Sequence, residues 1–180
     1  MSAFASVSGA IDVHENRRAP KLHDLARTGM ATEQVGVDRH RPTGDWVQIF
    51  PVACLVAGLN FCGSGPANFL LAVRKAERNG WHYTVRLERE PTNKADANAI
   101  KVIGVSEVAG WFRRRAQEWH IGYVNRDDAA IICNEVLAKG GPLSAELYKI
   151  YIEPSGWTDI RFIPLSSSPY SHSSRSKRRG

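Results

Sequence analysis

Cysteine is scarce in this sequence. Cys54, Cys62 and Cys133 are the three among 180 residues, too few and too scattered for a disulfide framework or a metal knuckle. Long apolar runs are absent as well: the longest, residues 50–59, spans ten residues, where a membrane helix needs roughly 20. The opening MSAFASVSGAIDV has no basic residues ahead of its weakly apolar stretch, which argues against a secretory signal. No glycine loop of the phosphate-binding type occurs, since Gly63-Ser64-Gly65-Pro66 lacks the following Gly and Lys. The expectation is a protein of a reducing, cytoplasmic compartment, nucleoid-associated if bacterial, with no membrane segment, no metal and no cofactor.

What is present bounds the rest. A hydrophobic fraction of 43% is near the globular average and excludes a wholly disordered chain. The length allows one domain with tails. The net charge is +6, but four of those charges belong to Arg175, Lys177, Arg178 and Arg179, in a stretch without acids. The part expected to fold is close to neutral, so any site for an anionic partner must be a local patch and not a global field.

Residues 1–45 show no sustained period and read as a flexible N-terminal arm, with at most a short helix near residues 21–27. Residues 166–180 are Ser-rich and basic and read as a disordered tail, either solubilising or a nonspecific phosphate-binding arm. Between them, residues 46–60 are rich in Val, Ile, Leu, Phe and Ala and predict a strand region interrupted at Pro51. Ser64-Gly65-Pro66 opens a helix in which Phe69, Leu70 and Val73 recur at helical spacing, and Gly80 stops it. Residues 81–90 alternate, with Tyr83, Val85 and Leu87 on one face, as a strand requires. Strands follow at 99–105 and 119–124. Asp127 and Asp128 begin a helix that runs to about Lys139 and ends at Gly140-Gly141. Residues 143–153 and 157–165 form a final hairpin about Pro154-Ser155-Gly156. Too few helices separate the strands for a doubly wound sheet. The order predicts an α+β domain over 46–165, a small, partly open β-barrel of about six strands with two helices at its margins.

The most informative segment is the loop between the strands at 81–90 and 99–105. It places Asn93, Asp96 and Asn98 within six residues, after Pro91. Such side chains bond nearby backbone amides and shape an irregular turn. They also present polar groups to whatever lies above the barrel. A carboxylate there accepts from a free hydroxyl and repels a terminal phosphate. Single strands are held elsewhere by aromatic stacking combined with local positive charge.

Taken with Val56-Ala57-Gly58-Leu59-Asn60-Phe61 upstream and Ile121-Gly122-Tyr123-Val124 downstream, the stretch Arg89-Glu90-Pro91-Thr92-Asn93-Lys94-Ala95-Asp96-Ala97-Asn98-Ala99-Ile100 resembles the HIRAN domain pattern. The resemblance covers about residues 52–163. It implies an oligonucleotide-binding-like barrel and a nucleic-acid-binding module that recognises 3′ ends of single-stranded DNA in repair or replication-fork processing. The module would not itself be an enzyme and would serve a helicase or nuclease partner. Residue by residue, it implies that Phe61 packs against a terminal base and that Asp96 accepts from the terminal 3′-hydroxyl. Tyr123 and Arg126 would approach bases and phosphates, and Asn93 belongs to the same loop. Two positions depart from the pattern. Lys94-Ala95 stands where the family often has Pro-Tyr, so a stacking ring is missing and Lys94 offers a phosphate contact instead. Asn60 stands where the DNA-binding member has a basic residue.

Residues 106–118 form a further segment, with Trp111 and Phe112 followed by Arg113, Arg114 and Arg115. One reading is a connector whose aromatics pack back on the barrel. The other is a wing that stacks on a strand and neutralises its phosphates, standing in for the basic and aromatic side chains that Asn60 and Ala95 do not provide. Two further function classes stay open. Trp111 and Phe112 could dock a protein partner on a barrel without catalytic activity. Glu88 and Glu90, on one face of a strand, could help hold a metal for nuclease chemistry, although no third ligand accompanies them. No neighbouring base in the sequence suggests an activated thiol at Cys62.

Overall fold

The computed structural model describes residues 33–35, 41–152 and 158–170. The short helix expected at 21–27, the turn at 154–156 and the basic residues beyond 170 lie outside the described residues. Among the described residues, eight strands and two α-helices follow in the order β1 (Glu33–Val35), β2 (Trp46–Gln48), β3 (Cys54–Leu55), α1 (Gly65–Asn79), β4 (Tyr83–Arg89), β5 (Ile100–Val108), β6 (Arg115–Tyr123), α2 (Arg126–Ile131), β7 (Ser144–Ile152) and β8 (Thr158–Ser167).

The elements form for local reasons. α1 has Pro66 in its first turn, where a missing N–H costs nothing. It buries Phe69, Leu70, Val73 and Ala76 and ends at Gly80, whose N–H bonds back to Ala76 and Glu77. α2 is capped by Asn125, which accepts from the amides of Asp127 and Asp128, and continues as a π turn (Ile132–Val136) and a 3-10 turn (Leu137–Lys139). β4 carries Tyr83 and Val85 into the core, as its alternation requires.

All strand pairings are antiparallel. One sheet runs β1-β7-β8-β2, with β3 also on β8, and the other runs β4-β5-β6. The two share a single core that includes Ile49, Phe69, Ile100, Ile121, Ile150 and Phe162. Phe69 seats directly on Gly104 of β5, which draws α1 close against the second sheet.

Three expectations need correction. The fold is α+β as expected, but in place of a partly open barrel of about six strands the described residues form eight strands in two antiparallel sheets, with no ladder joining β4 to β7. β4 packs beside β7, and the backbone hydrogen bonds between the sheets come from one short stretch among the described residues. Val56 donates to the Ile160 carbonyl, and Ala57 pairs with Tyr123 in an isolated antiparallel bridge. Residues 46–60 break at Pro51 and turn at Gly58, whose φ of 74° favours glycine, so they cannot span both sheets as one strand. Second, residues 33–35, within the expected arm, lie as an edge strand against Ile150–Ile152 of β7. Third, the fold continues past 165. Ser166 is buried and donates to the Pro142 carbonyl at 2.6 Å, and Tyr170 packs on the core and donates to the Lys139 carbonyl.

Candidate nucleic-acid interface

The loop between β4 and β5 is built around two side chains. Asn93 Oδ1 accepts from the amides of Ala95 (2.9 Å) and Asp96 (3.2 Å), and its Nδ2 donates to Glu90 Oε2 (2.8 Å). Asp96 Oδ1 accepts from the Asn98 amide at 2.8 Å. These are the local turns that Asn and Asp favour. They leave Asp96 Oδ2 free of tight partners, with Arg126 Nε at 3.7 Å on a largely exposed side chain.

Glu90 organises the base of the site. Its Oε1 pairs with Lys101 Nζ at 2.7 Å, and its Oε2 accepts from Asn93 and from the Tyr123 hydroxyl at 3.1 Å. The hydrogen bond from Lys101, then that from Asn93, holds the Glu90 carboxyl at about 2. The Tyr123 hydroxyl is raised, first by burial and then by its bond to Glu90. Because the folded value of Glu90 lies below the ordinary glutamate value of 4.5, its contribution to stability is present above that value and is lost as pH falls toward about 2. Glu90→Gln is therefore expected to lower the thermal midpoint at neutral pH, with the gap to wild type closing between about pH 4.5 and 2. Thermal melts across that range check it, and a gap independent of pH would contradict it.

Above this base lies a cleft of about 230 Å³ lined by Asn93, Ala95, Asp96, Ala99, Tyr123, Val124 and Arg126. Four expected site residues, from one loop, a strand end and a helix start, thus share one wall. Phe61 is beside it: the α carbon of Gly58 presents a face to the rings of both Phe61 and Tyr123. Phe61 is 92% exposed and available for stacking. Tyr123 is held edge-on by His120, centroids 4.7 Å apart. Asn60 and Lys94 are exposed at the rim.

The wing residues are elsewhere. β5 and β6 form one long hairpin in which Lys101 pairs with Tyr123 at the cleft end and Val108 with Arg115 at the other. Seven residue steps at about 3.3 Å each separate these ends by about 23 Å. Trp111 and Phe112 are 92% and 94% exposed at the tip and meet edge to face, so they do not pack back on the fold. Nor can the tip occupy the positions of Asn60 and Ala95. Arg114 pairs with Glu107 at 2.9 Å, and Arg113 and Arg115 are exposed.

The carboxylates named for metal chemistry are each engaged by a cation: Glu88 by Arg86 at 2.6 Å and Glu90 by Lys101. Among the described residues no cluster of three metal-competent side chains occurs. A base does stand beside Cys62, contrary to the expectation from sequence, since His120 Nε2 lies 3.8 Å from Sγ. Yet Nε2 is also 3.0 Å from the Gly122 carbonyl, which only an N–H can satisfy, and burial pushes the Cys62 thiol up. A protonated nitrogen cannot take the thiol proton, so the pair is not an activated nucleophile. Lys101 at the base of the cleft was missed by the sequence reading, and Glu90, considered there only for metal chemistry, joins it. Their signal was the register that brings Lys101 opposite Tyr123, which no local pattern carries.

Comparison with family models matches the HIRAN domain over residues 57–156. The chain belongs to the HIRAN domain family. The matched span holds the β4–β5 loop, the cleft and the hairpin tip. HIRAN domains are nucleic-acid-binding modules with an oligonucleotide-binding-like fold, and the domain is not catalytic by itself. Here the HIRAN fold takes the form of two sheets joined at Ala57 and Tyr123. Searches of curated proteins and of solved structures returned no match. Among the described residues no helix is long and apolar enough to cross a membrane.

Proposed function

We propose that this HIRAN domain binds single-stranded nucleic acid, DNA in the first instance, by its free 3′ end, and delivers that end to a helicase or nuclease acting in repair or at replication forks. One observation carries the reading. Asp96 stands in the cleft wall with Oδ1 committed to the loop and Oδ2 met by Arg126 Nε at 3.7 Å, beside Tyr123 and the exposed ring of Phe61. A carboxylate oxygen accepts from a hydroxyl and opposes a phosphate. An aromatic beside it stacks the terminal base, and Arg126 and Lys94 offer positive charge to the phosphates that follow. The cleft is smaller than the roughly 300–1,000 Å³ of drug-sized pockets, which suits one terminal unit. The HIRAN match over this segment supports the same class of ligand.

The experiment is a fluorescence anisotropy titration with oligonucleotides of one sequence that end in 3′-hydroxyl, 3′-phosphate, or a blocked 3′ end with a free 5′ end. The expected result is at least a tenfold preference for the free 3′-hydroxyl. Equal binding to every end, or none, would reject end capture in favour of a protein-docking role for the same fold.

A further inference from the structure

The cleft end and the tip end of the β5–β6 ladder are about 23 Å apart, and two surfaces connect them. Their charges differ. On the side opposite α1, Arg86 is clamped between Glu88 and Glu118 at 2.6 Å each, leaving one excess negative charge that opposes a phosphate chain. On the other side lies α1. Its first residue, Gly65, abuts the His120 carbonyl near the cleft, and it begins four residues after Phe61. Its last turns reach the tip end: Glu77 accepts from Tyr83, His82 donates to Glu107, and Glu107 pairs with Arg114. The solvent face of α1 presents Leu71, Lys75 and Arg78 at helical spacing. The helix thus runs from the exposed ring of Phe61 to the exposed rings of Trp111 and Phe112, with cations between.

We propose that a strand whose 3′ end sits in the cleft continues over the solvent face of α1, with phosphates on Lys75 and Arg78, and stacks bases on Trp111 and Phe112 between Arg113 and Arg115. This rests on the end-capture reading above. It makes the tip a second nucleic-acid subsite of the same strand. At the 3.4 Å per nucleotide of a stacked strand, the span corresponds to about seven nucleotides. A four-nucleotide probe therefore fills the cleft alone, and a twelve-nucleotide probe reaches both sites.

The test titrates thymidine oligonucleotides of four and twelve nucleotides with free 3′-hydroxyls against the full chain and surface variants. The twelve-mer is expected to bind wild type at least tenfold more tightly. Trp111→Ala with Phe112→Ala is expected to cost the twelve-mer about tenfold or more and to leave the four-mer and its 3′-hydroxyl preference unchanged. Lys75→Gln with Arg78→Gln is expected to reduce the slope of log affinity against log salt by about 1.4 for the twelve-mer, at roughly 0.7 per phosphate contact on a single strand. Unchanged twelve-mer affinity in both variants overturns the path, as does an affinity gain in Glu88→Gln with Glu118→Gln, which would put the strand on the opposite face. Tip variants that lose self-association or a protein contact while binding the twelve-mer normally overturn it in favour of a protein-docking tip. If the four-mer shows no 3′-hydroxyl preference while the variants still weaken the twelve-mer, end capture fails and the path stands.

Discussion

Asp96→Asn is expected to abolish discrimination between a 3′-hydroxyl and a 3′-phosphate. The substitution is chosen because Asp96 has two tasks. Its Oδ1 accepts from the Asn98 amide and holds the loop, and an asparagine oxygen does the same. Its Oδ2 lies 3.7 Å from Arg126, a fellow residue of the cleft lining, and there the change replaces a charged acceptor by an amide donor. A hydrogen bond to a charged group contributes roughly 1.5–3 kcal/mol, so affinity for the 3′-hydroxyl should fall roughly 10- to 150-fold. The phosphate-ended strand should gain instead. Two unit charges 4 Å apart at an effective dielectric of 20 oppose each other by about 4 kcal/mol, and the variant removes that repulsion while Arg126 remains. Asp96→Ala would also lose the bond to Asn98, so its effect mixes loop and ligand. Anisotropy titrations of both ends against wild type and Asp96→Asn decide the matter; a variant that keeps the wild-type preference would remove Asp96 from end recognition.

Gly122→Ala carries the largest expected effect on the fold. A Cβ at this position would run into Val56 Cγ1 and would fall 2.5 Å from the Ala57 carbonyl oxygen. Ala57 and Tyr123 exchange two backbone hydrogen bonds of 2.8 Å, a hydrogen-bonded link between the two sheets, and neither backbone can withdraw without breaking them. Overpacking of this kind costs about 1–3 kcal/mol, a fall in thermal midpoint of about 5–15 °C for a domain near this size. The same displacement separates Tyr123 from Gly58 and Phe61, so affinity for a 3′-hydroxyl oligonucleotide should drop even well below the melting temperature. Tyr123→Phe provides the comparison. It removes only the bond to Glu90 and should leave the midpoint far closer to wild type. A Gly122→Ala protein with unchanged midpoint and affinity would show that the bridge is not what joins the sheets to the site.

Much of the architecture is legible in the chain itself. α1 is visible from Pro66, the spacing of Phe69, Leu70 and Val73, and Gly80; the structure has it at Gly65–Asn79. The alternation of Tyr83, Val85 and Leu87 locates β4, and Asp127 and Asp128 locate the start of α2. These signals are local, because helix and strand periods repeat within a few residues. The three-residue edge strand Glu33–Val35 carries no period, since so short a segment pairs only because β7 offers it an open edge.

The chemistry of the site divides along the same line. The sequence alone determined which groups the β4–β5 loop carries, because Asn and Asp shape their own turns through bonds to the next few amides, as Asn93 and Asp96 do. Only the tertiary structure decided what faces them. Strand register brings Lys101 and Tyr123 onto Glu90, the bridge at Ala57 sets Phe61 beside Tyr123, and the long β5–β6 hairpin carries Trp111 and Phe112 to the far end of the domain. Those relations depend on which strands pair and how far a hairpin extends. They are properties of the closed core, and no stretch of neighbouring residues contains them.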